Sequence, residues 1–362
     1  MRKLAIAVIA GDGIGPEVIR VARNVLAAAG RKHAIEFTFE PFEWGSEYYF
    51  QHGRMMPQAA LELLRPFDAI LLGAVGHPDI PDHITLNGLL LPIRRGFDLY
   101  ANVRPAVLYG GVESPLAGRR PFEIDMVVVR ENTEGEYAPA GGFVHHNHPD
   151  EVAVQTAVFT RRGIERIVRY AFELARSRGK KKRVASITKS NAQAYGMVLW
   201  DRVFEAVGAE YPDIETESLL VDAAAMNFVR RPESFDVVVA SNLFGDILSD
   251  LSAIVTGSIG LAASANLDPG RRAPSMFEPV HGSAPDIAGR GIANPMAAIL
   301  CSALMLDHLG EPGAARAIES AVAAVLAAAS VRTPDLGGTS TSEQVGQAVI
   351  NALERGQGAI AP

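Results

Sequence analysis

The stretch Phe235-Asp-Val-Val-Val-Ala-Ser-Asn-Leu-Phe-Gly-Asp-Ile-Leu-Ser-Asp250 reads as a buried strand that turns directly into a helix. Asp236 to Ser241 is a short apolar run of strand type, and Asn242 is a residue type that caps helices. The helix behind it sets Asp246 and Asp250 four residues apart, hence on one face. Two carboxylates stacked this way repel unless a cation sits between them. Oxygen donors with no neighbouring Cys or His suit Mg²⁺ or Mn²⁺ better than zinc. A solvated acidic face is the plain alternative for a bare pair of aspartates. Its position argues for a ligand site, because open α/β sheets bind ligands beyond the carboxyl ends of their strands.

Working outward, the same strand-then-helix rhythm covers the chain. Leu4–Ala10 is an apolar strand, and Pro16 opens a helix with Val18, Val21 and Val25 on one stripe. Ile35, Phe37 and Phe39 alternate with polar residues, as in a half-buried strand. Phe67–Gly73, Met126–Arg130 and Val184–Thr188 are further strand candidates, with helices expected over Arg162–Arg178 and Ala314–Ala329. This alternation predicts an α/β fold with a largely parallel sheet. The stretch Ala138–Asp150, rich in Gly, Pro and His, breaks the rhythm and reads as an extended arm.

The chain has 362 residues, more than the roughly 100–200 of one compact domain, so two lobes are expected. A net charge of −7 argues against a general nucleic-acid binder. The single cysteine, Cys301, lies in an apolar helical stretch and points to a core position in a reducing compartment. The apolar N-terminal run is too short to span a membrane and enters a glycine turn, so the expected location is the cytoplasm. That turn, Gly11-Asp12-Gly13-Ile14-Gly15-Pro16, fails the dinucleotide fingerprint because Pro16 occupies the third glycine position. A tight strand-to-helix turn is the better reading.

Arginines form a second constellation. Arg94 and Arg95 follow the apolar run Leu89–Ile93, Arg104 sits in Ala-Asn-Val-Arg-Pro, and Arg130 ends a strand. Converging guanidinium forks would bind a substrate with two or more carboxylates. Lys189, at a strand end, could serve as a general base if nearby cationic charge lowered its pKa, and Tyr137 could be the matching acid. Together with the aspartates these residues describe metal-assisted oxidation of a hydroxy acid, or alternatively a metal-assisted lyase. His145, His146 and His148 read as a polar loop.

Four motifs now carry a resemblance. Gly-Asp-Gly-Ile-Gly-Pro at 11–16, Val-Arg-Glu-Asn-Thr-Glu-Gly-Glu-Tyr at 129–137, Ser-Asn-Leu-Phe-Gly-Asp-Ile-Leu-Ser-Asp at 241–250 and Glu-Pro-Val-His-Gly-Ser-Ala-Pro-Asp-Ile-Ala-Gly at 278–289 resemble the β-decarboxylating dehydrogenases, the isocitrate and isopropylmalate dehydrogenase family. The resemblance implies an open α/β sandwich of two lobes sharing a mixed sheet, distinct from a Rossmann fold. It implies a cofactor-binding lobe of residues 1–102 plus 254–362. It also implies a substrate, metal and dimerisation lobe of 103–253, with an arm near 138–150. By the same resemblance Arg94, Arg104 and Arg130 would hold the substrate carboxylates. Asp246 and Asp250 would bind Mg²⁺ or Mn²⁺, with Asp222 and the proton-accepting Lys189 supplied by the other subunit of a homodimer. Tyr137 would protonate the enol, and Asn191 would lie by the nicotinamide of NAD. Gly73 and Ala74 match a loop beside the cofactor, and His281, Gly282, Ser283, Ala284, Asp286 and Asn294 match an adenosine-binding loop. A requirement for a monovalent cation such as K⁺ is left open.

The blocks Trp44–Pro57, Pro81–Leu86 and Val158–Gly163 resemble the tartrate and D-malate branch of the family. Positions 84–93 contain no acid, whereas isopropylmalate enzymes generally carry a glutamate there. Two features depart from the tartrate branch: Asn87-Gly88-Leu89, where that branch usually has Trp-Gly-Ser, and Asp222-Ala-Ala-Ala-Met226, which is more like the isopropylmalate branch. The expected activity is NAD-dependent oxidative decarboxylation of tartrate or D-malate. The alternatives are 3-isopropylmalate as substrate, or redox-neutral decarboxylation of tartrate.

Overall fold

In a computed structural model that describes residues 1–356, the chain folds as two compact units. It begins with β1 (Arg2–Gly11), α1 (Gly15–His33), β2 (Ile35–Pro41), the short helices α2 (Ser46–His52) and α3 (Ala60–Leu64), and β3 (Ala69–Ala74). Helices α4 (Asp82–Thr85) and α5 (Leu91–Gly96) lead into β4 (Ala101–Val107). Next come β5 (Asp125–Glu131), the pair β6 (Gly141–Val144) and β7 (Val152–Gln155), α6 (Arg161–Arg178), β8 (Arg183–Thr188) and α7 (Gly196–Gly208). The chain continues through β9 (Glu215–Leu220), α8 (Val221–Arg230), β10 (Val237–Ala240) and α9 (Asn242–Val255). It ends with β11 (Ala263–Leu267), β12 (Ser275–Pro279), α10 (Met296–His308), α11 (Pro312–Ala328) and α12 (Ser342–Arg355). No helix among the described residues is long and apolar enough to cross a membrane.

The first unit comprises Met1–Leu99, Arg104–Ile124 and the chain from Ala253 on. Its strands run in the order β2-β1-β3-β12-β11, parallel except for the antiparallel β11–β12 pair, so the sheet is mixed as expected. Val18, Val21 and Val25 of α1 are buried, as their spacing predicts. Helix α10 is buried on nearly every face, Cys301 included, and burial pushes that thiol above its usual range.

The second unit comprises Tyr100–Val103 and Asp125–Ser252. Its strands β5-β10-β8-β9 are all parallel, which brings their carboxyl ends to one edge. Strand β5 is buried along its whole length, and so is β10. Helix α6 shows how sequence builds such a layer. Thr160 caps it by accepting a hydrogen bond from Gly163 N, and Ile164, Ile167, Val168 and Phe172 form one fully buried stripe. Each such side chain contributes about 1.5–3 kcal/mol, so packing outweighs intrinsic propensity in holding the helix.

Two expectations change. Residues Arg104–Ile124 group with the first unit, where a substrate lobe of 103–253 had been expected. The reason lies in contacts with distant parts of that unit: Ser114 Oγ donates to the Val255 carbonyl at 2.7 Å, Arg332 bonds the Gly111 carbonyl, and Gly111 packs on Leu326. The arm is a β6–β7 hairpin that runs past Asp150 to Gln155, with all eight strand residues exposed.

Candidate active site

In the second unit the site begins at the carboxyl ends of β5 and β10. Arg130, at the end of β5, is 1% exposed, and its guanidinium pairs with Asp246 on α9. Its Nε and Nη2 both donate to Asn242 Oδ1, at 3.0 and 2.6 Å. Gly245 is the position over which Arg130 lies, since a Cβ there would stand 2.6 Å from the arginine Cβ. Tyr137 O–H donates to the other Asp246 oxygen at 2.9 Å, and the arginine lies 5.2 Å over the tyrosine ring. Arg130, Tyr137 and Asp246 are thus brought together as one charged, hydrogen-bonded group. Asp250 lies one turn along the same face of α9 and is exposed.

Asn242 does not cap α9. It is the first helical residue, and its side chain is taken up by Arg130 and by the Glu134 carbonyl, to which its Nδ2 donates at 2.9 Å. The cap comes from elsewhere: Glu136 accepts from Ser241 Oγ at 2.8 Å and from Leu243 N at 3.1 Å. The sequence reading missed Glu136, although it stands directly before Tyr137. Glu131, at the start of the same loop, is buried, accepting from Thr133 N, Thr133 Oγ1 and Glu134 N; burial pushes its carboxyl up to about 7.

Lys189 and Asp222 form their own pair, Nζ to Oδ1 2.5 Å, at the ends of β8 and β9. Lys189 therefore faces a carboxylate, opposite in sign to the arginines placed beside it by sequence reasoning. Its hydrogen bond holds the Asp222 carboxyl below the usual carboxylate range. Asn191, two residues on, is exposed. Among the described residues no three His, Cys, Asp or Glu side chains gather as a metal set, so Asp222 does not join Asp246 and Asp250 within one chain.

In the first unit the glycine turn does more than reverse the chain. Gly11 and Gly13 have φ of 69° and 57°, and a Cβ at Gly13 would collide with the Ser283 carbonyl. Ile14 N donates to that carbonyl at 2.8 Å, Asp12 N donates to the Ala74 carbonyl at 2.8 Å, and Gly73 packs against Gly15. Asp12 accepts from Gly76 N and Ser46 N, while Glu17 accepts from Gly291 N and Ala293 N. The turn thus gathers Gly73, Ala74 and Ser283, three of the expected cofactor residues. Asn294 donates to Asp335 at 2.9 Å, and Asp286 and Gly282 are exposed.

His281 is buried with Nε2 lacking a hydrogen-bond partner among the described residues, and burial lowers its pKa. An orphaned buried nitrogen beside an exposed glycine and Ala284, at φ 40°, fits a bound nucleotide. Arg94 is 3% exposed and donates to Glu278 Oε1 at 2.6 Å, an oxygen that also accepts from Asn266 Nδ2 at 2.8 Å. Arg104 is buried on β4.

A family model described as isocitrate/isopropylmalate dehydrogenase matches residues 5–349. The chain belongs to that family. It is similar to a probable tartrate dehydrogenase/decarboxylase of Agrobacterium vitis, 51% identical with 98% of each chain covered. It is also similar to the decarboxylating D-malate dehydrogenase of Escherichia coli K12, at 52% identity over 98% of this chain and all of that one. The tartrate dehydrogenase/decarboxylase of Pseudomonas putida is 51% identical, covering 97% and 98% of the two chains. Among solved structures, isocitrate dehydrogenase from Methylococcus capsulatus superposes with a TM-score of 0.87 at 39% identity, covering 98% of this chain and 99% of that one. The protein is therefore an enzyme of the decarboxylating dehydrogenase family, and the expected fold class holds.

The two aspartates of α9 should separate in their effects on stability. In excess chelator, Asp246→Asn should lower stability by about 1–3 kcal/mol, because buried Arg130 loses its ionised partner. The loss is below the ~3–5 kcal/mol of a fully buried pair because Asp246 is one-third exposed, at 34%. Asp250 is exposed, so Asp250→Asn should lower the melting temperature less than Asp246→Asn does and should weaken Mn²⁺ binding measured by calorimetry. Equal melting losses in the two variants would contradict this division.

Proposed function

We propose that this enzyme oxidises and decarboxylates a malate-type 2-hydroxy acid, tartrate or D-malate, using NAD and either Mg²⁺ or Mn²⁺. The observation that carries the reading is the Arg130–Asp246–Tyr137 group, which sets a carboxylate-binding cation, an oxygen ligand for a divalent ion and a phenolic acid side by side. The donor set fits a hard cation: two carboxylates on one face of α9, with no thiol or imidazole among them. Bound NAD would accept the hydride leaving C2, and the bound cation would lower the energy of negative charge developing on the hydroxyl oxygen.

The chain's own residues supply the rest. Arg94, Arg104 and Arg130 hold the carboxylates. Lys189 takes the C2 hydroxyl proton, which makes the oxygen able to push hydride from the carbon. Loss of CO₂ from the resulting β-keto acid leaves an enol, and Tyr137 returns a proton to its carbon. Asn191 flanks the nicotinamide, with His281, Gly282, Ser283, Ala284, Asp286 and Asn294 around the adenosine and Gly73 and Ala74 alongside.

We place Lys189 and Asp222 in the neighbouring subunit's site, so that Asp222 completes that subunit's Asp246 and Asp250. Strand β8 is two strands from β5, roughly 10 Å, which sets Lys189 well away from its own Arg130. A second copy is also what the exposed apolar groups call for: Phe143, Val144, Val152 and Val154 on the hairpin, Met226 and Val229 on α8, and Ile247 on α9. A lone two-stranded hairpin is only marginally stable in water. The cytoplasm suits the single, buried cysteine.

The tartrate and D-malate relatives favour those substrates. The second reading, 3-isopropylmalate, rests on Asp222-Ala-Ala-Ala-Met226, which resembles that branch, although the acid-free segment before Arg94 speaks against it. Following NADH absorbance and CO₂ release together over D-malate, the tartrates and 3-isopropylmalate tests both. The proposal expects matched NADH and CO₂ with D-malate or a tartrate. CO₂ without NADH identifies the redox-neutral course, and turnover of 3-isopropylmalate alone overturns the substrate assignment.

The proton roles predict different failures. Lys189→Met and Tyr137→Phe should each cost on the order of 10²–10⁴-fold. Lys189→Met should lose oxidation itself, whereas Tyr137→Phe should oxidise substrate and stall at enol protonation. Equal losses in ketone reduction and ketone decarboxylation in both variants would undo the assignment.

Cofactor choice follows from Asp286. Its carboxylate can accept from both ribose hydroxyls, and a 2′-phosphate would bring about two negative charges against it. At 4 Å and a surface-like dielectric each unit repulsion is of order 4 kcal/mol, and a third of that, after screening, is still about tenfold in affinity. Asp286→Lys with Ile287→Tyr should shift kcat/KM toward NADP. A higher kcat/KM with NADP in the unaltered enzyme would refute this reading.

A further inference from the structure

The loop that carries Tyr137 is pinned at three points, all within the second unit. At its start, the buried Glu131 carboxylate gathers Thr133 N, Thr133 Oγ1 and Glu134 N into a tight turn. In the middle, Glu134 accepts from Thr160 N at 2.9 Å and from Thr160 Oγ1 at 2.7 Å, and Gly135 exchanges two backbone hydrogen bonds with Val158. The third anchor is Glu136. It binds Ser241 Oγ and Leu243 N, so it reaches the first turn of α9 and not the loop's own neighbours.

Leu243 N is one of the helix donors that no residue inside α9 can satisfy. Gly245 N donates to the Ser241 carbonyl at 2.8 Å, which makes Ser241 the capping position, yet its hydroxyl is turned outward to Glu136. The capping acceptor is therefore a carboxylate from another segment of the chain, where the helix dipole favours negative charge. The next residue, Tyr137, meets the same helix at Asp246, about 4.5 Å further along the axis. Consecutive side chains thus clamp one turn of α9, the first by its cap and the second by the carboxylate of the metal pair.

The two contacts differ in permanence. The Tyr137 hydroxyl bond to Asp246 uses Oδ2, the carboxylate oxygen not paired with Arg130 and one that a cation would claim, so that bond must yield for both the ion and the acid to work. The Glu136 contacts lie one turn away and need not change. We propose that Glu136 is a positioning residue: by capping α9 it holds the Tyr137 loop against the helix, so that the phenol stays within reach of the enol carbon once Asp246 has let it go. The inference rests on the reading of Tyr137 as the protonating acid.

The test compares Glu136→Ala, Glu136→Gln, Tyr137→Phe and the double variant Glu136→Ala/Tyr137→Phe. Three readouts are taken: reduction of NAD in a single turnover, decarboxylation of the supplied β-keto acid followed by solvent-deuterium uptake at the protonated carbon, and Mn²⁺ affinity by paramagnetic resonance without substrate. A misplacement of about 1 Å costs up to ~10²-fold. Glu136→Ala should therefore slow deuterium uptake by about tenfold or more. NAD reduction and Mn²⁺ affinity should stay within about twofold, because Asp246 and Asp250 remain in place. Glu136→Gln keeps one acceptor oxygen and should recover part of the loss. In the Tyr137→Phe background, removing Glu136 should slow protonation no further, since the residue it positions is already gone.

Additive losses in the double variant would overturn the proposal, as would an equal fall in NAD reduction and deuterium uptake. A weakened Mn²⁺ site in Glu136→Ala would also overturn it, by showing that Glu136 acts through the metal aspartates. If Tyr137→Phe itself protonates the enol at the normal rate, the acid assignment fails. If Tyr137→Phe is slow while Glu136→Ala is normal, only the positioning role fails.

Discussion

The ion pair between Arg130 and Asp246 is the contact on which the second unit's chemistry depends. Arg130 sits at the end of a fully buried strand and is itself almost wholly buried, so its charge requires an ionised partner. Asp246 provides it from α9, and Asn242 takes the two remaining guanidinium donors on that side. Because β5 and β10 are parallel neighbours, Ala240 beside Arg130, the strand ends deliver arginine and helix to one edge. The same edge receives Lys189 from β8 and Asp222 just after β9. A parallel sheet thus sorts a guanidinium, an ammonium and two carboxylates along one edge. It also spaces them by strand widths, which is why Lys189 and Asp222 are proposed to serve the neighbouring subunit's site.

The first unit solves a different problem with the same device of long-range backbone contacts. Two amides of its glycine turn are already engaged: Asp12 N and Ile14 N donate to the carbonyls of Ala74 and Ser283. The glycines serve close approach between segments, not between backbone and phosphate. The turn fails the dinucleotide fingerprint at Pro16, yet it stands beside Gly73, Ala74 and Ser283, three of the residues expected to line the cofactor. Asp12 and Glu17 extend the arrangement by taking backbone amides at Gly76, Gly291 and Ala293.

Much of this was legible from the residues alone. Apolar runs located β1, β3, β5, β8 and β10, and the spacing of Asp246 and Asp250 placed them on one face of a helix. What was hidden were partners distant in sequence. Nothing local to Arg94 points to Glu278, 184 positions away. Asn242 fits the cap of α9 by type, yet the buried guanidinium of Arg130 competes for it and wins, because an unpaired buried cation costs more than a cap. That competition leaves the cap to Glu136, a residue for which the local sequence gives no such role. The placement of Arg104–Ile124 with the first unit has the same origin: the segment's anchors at Val255, Leu326 and Arg332 lie far along the chain.

Helix α9 is proposed to present a divalent-cation site completed across two copies of the chain. Anomalous diffraction from crystals grown with Mn²⁺ and a hydroxy acid tests it most directly. The account predicts one strong peak within coordination distance of Asp246 and Asp250, with Asp222 of the partner subunit beside it and Tyr137 released from Asp246. An ordered hydroxy acid with no peak at α9, or a peak ligated by Asp222 of the same chain, would contradict it.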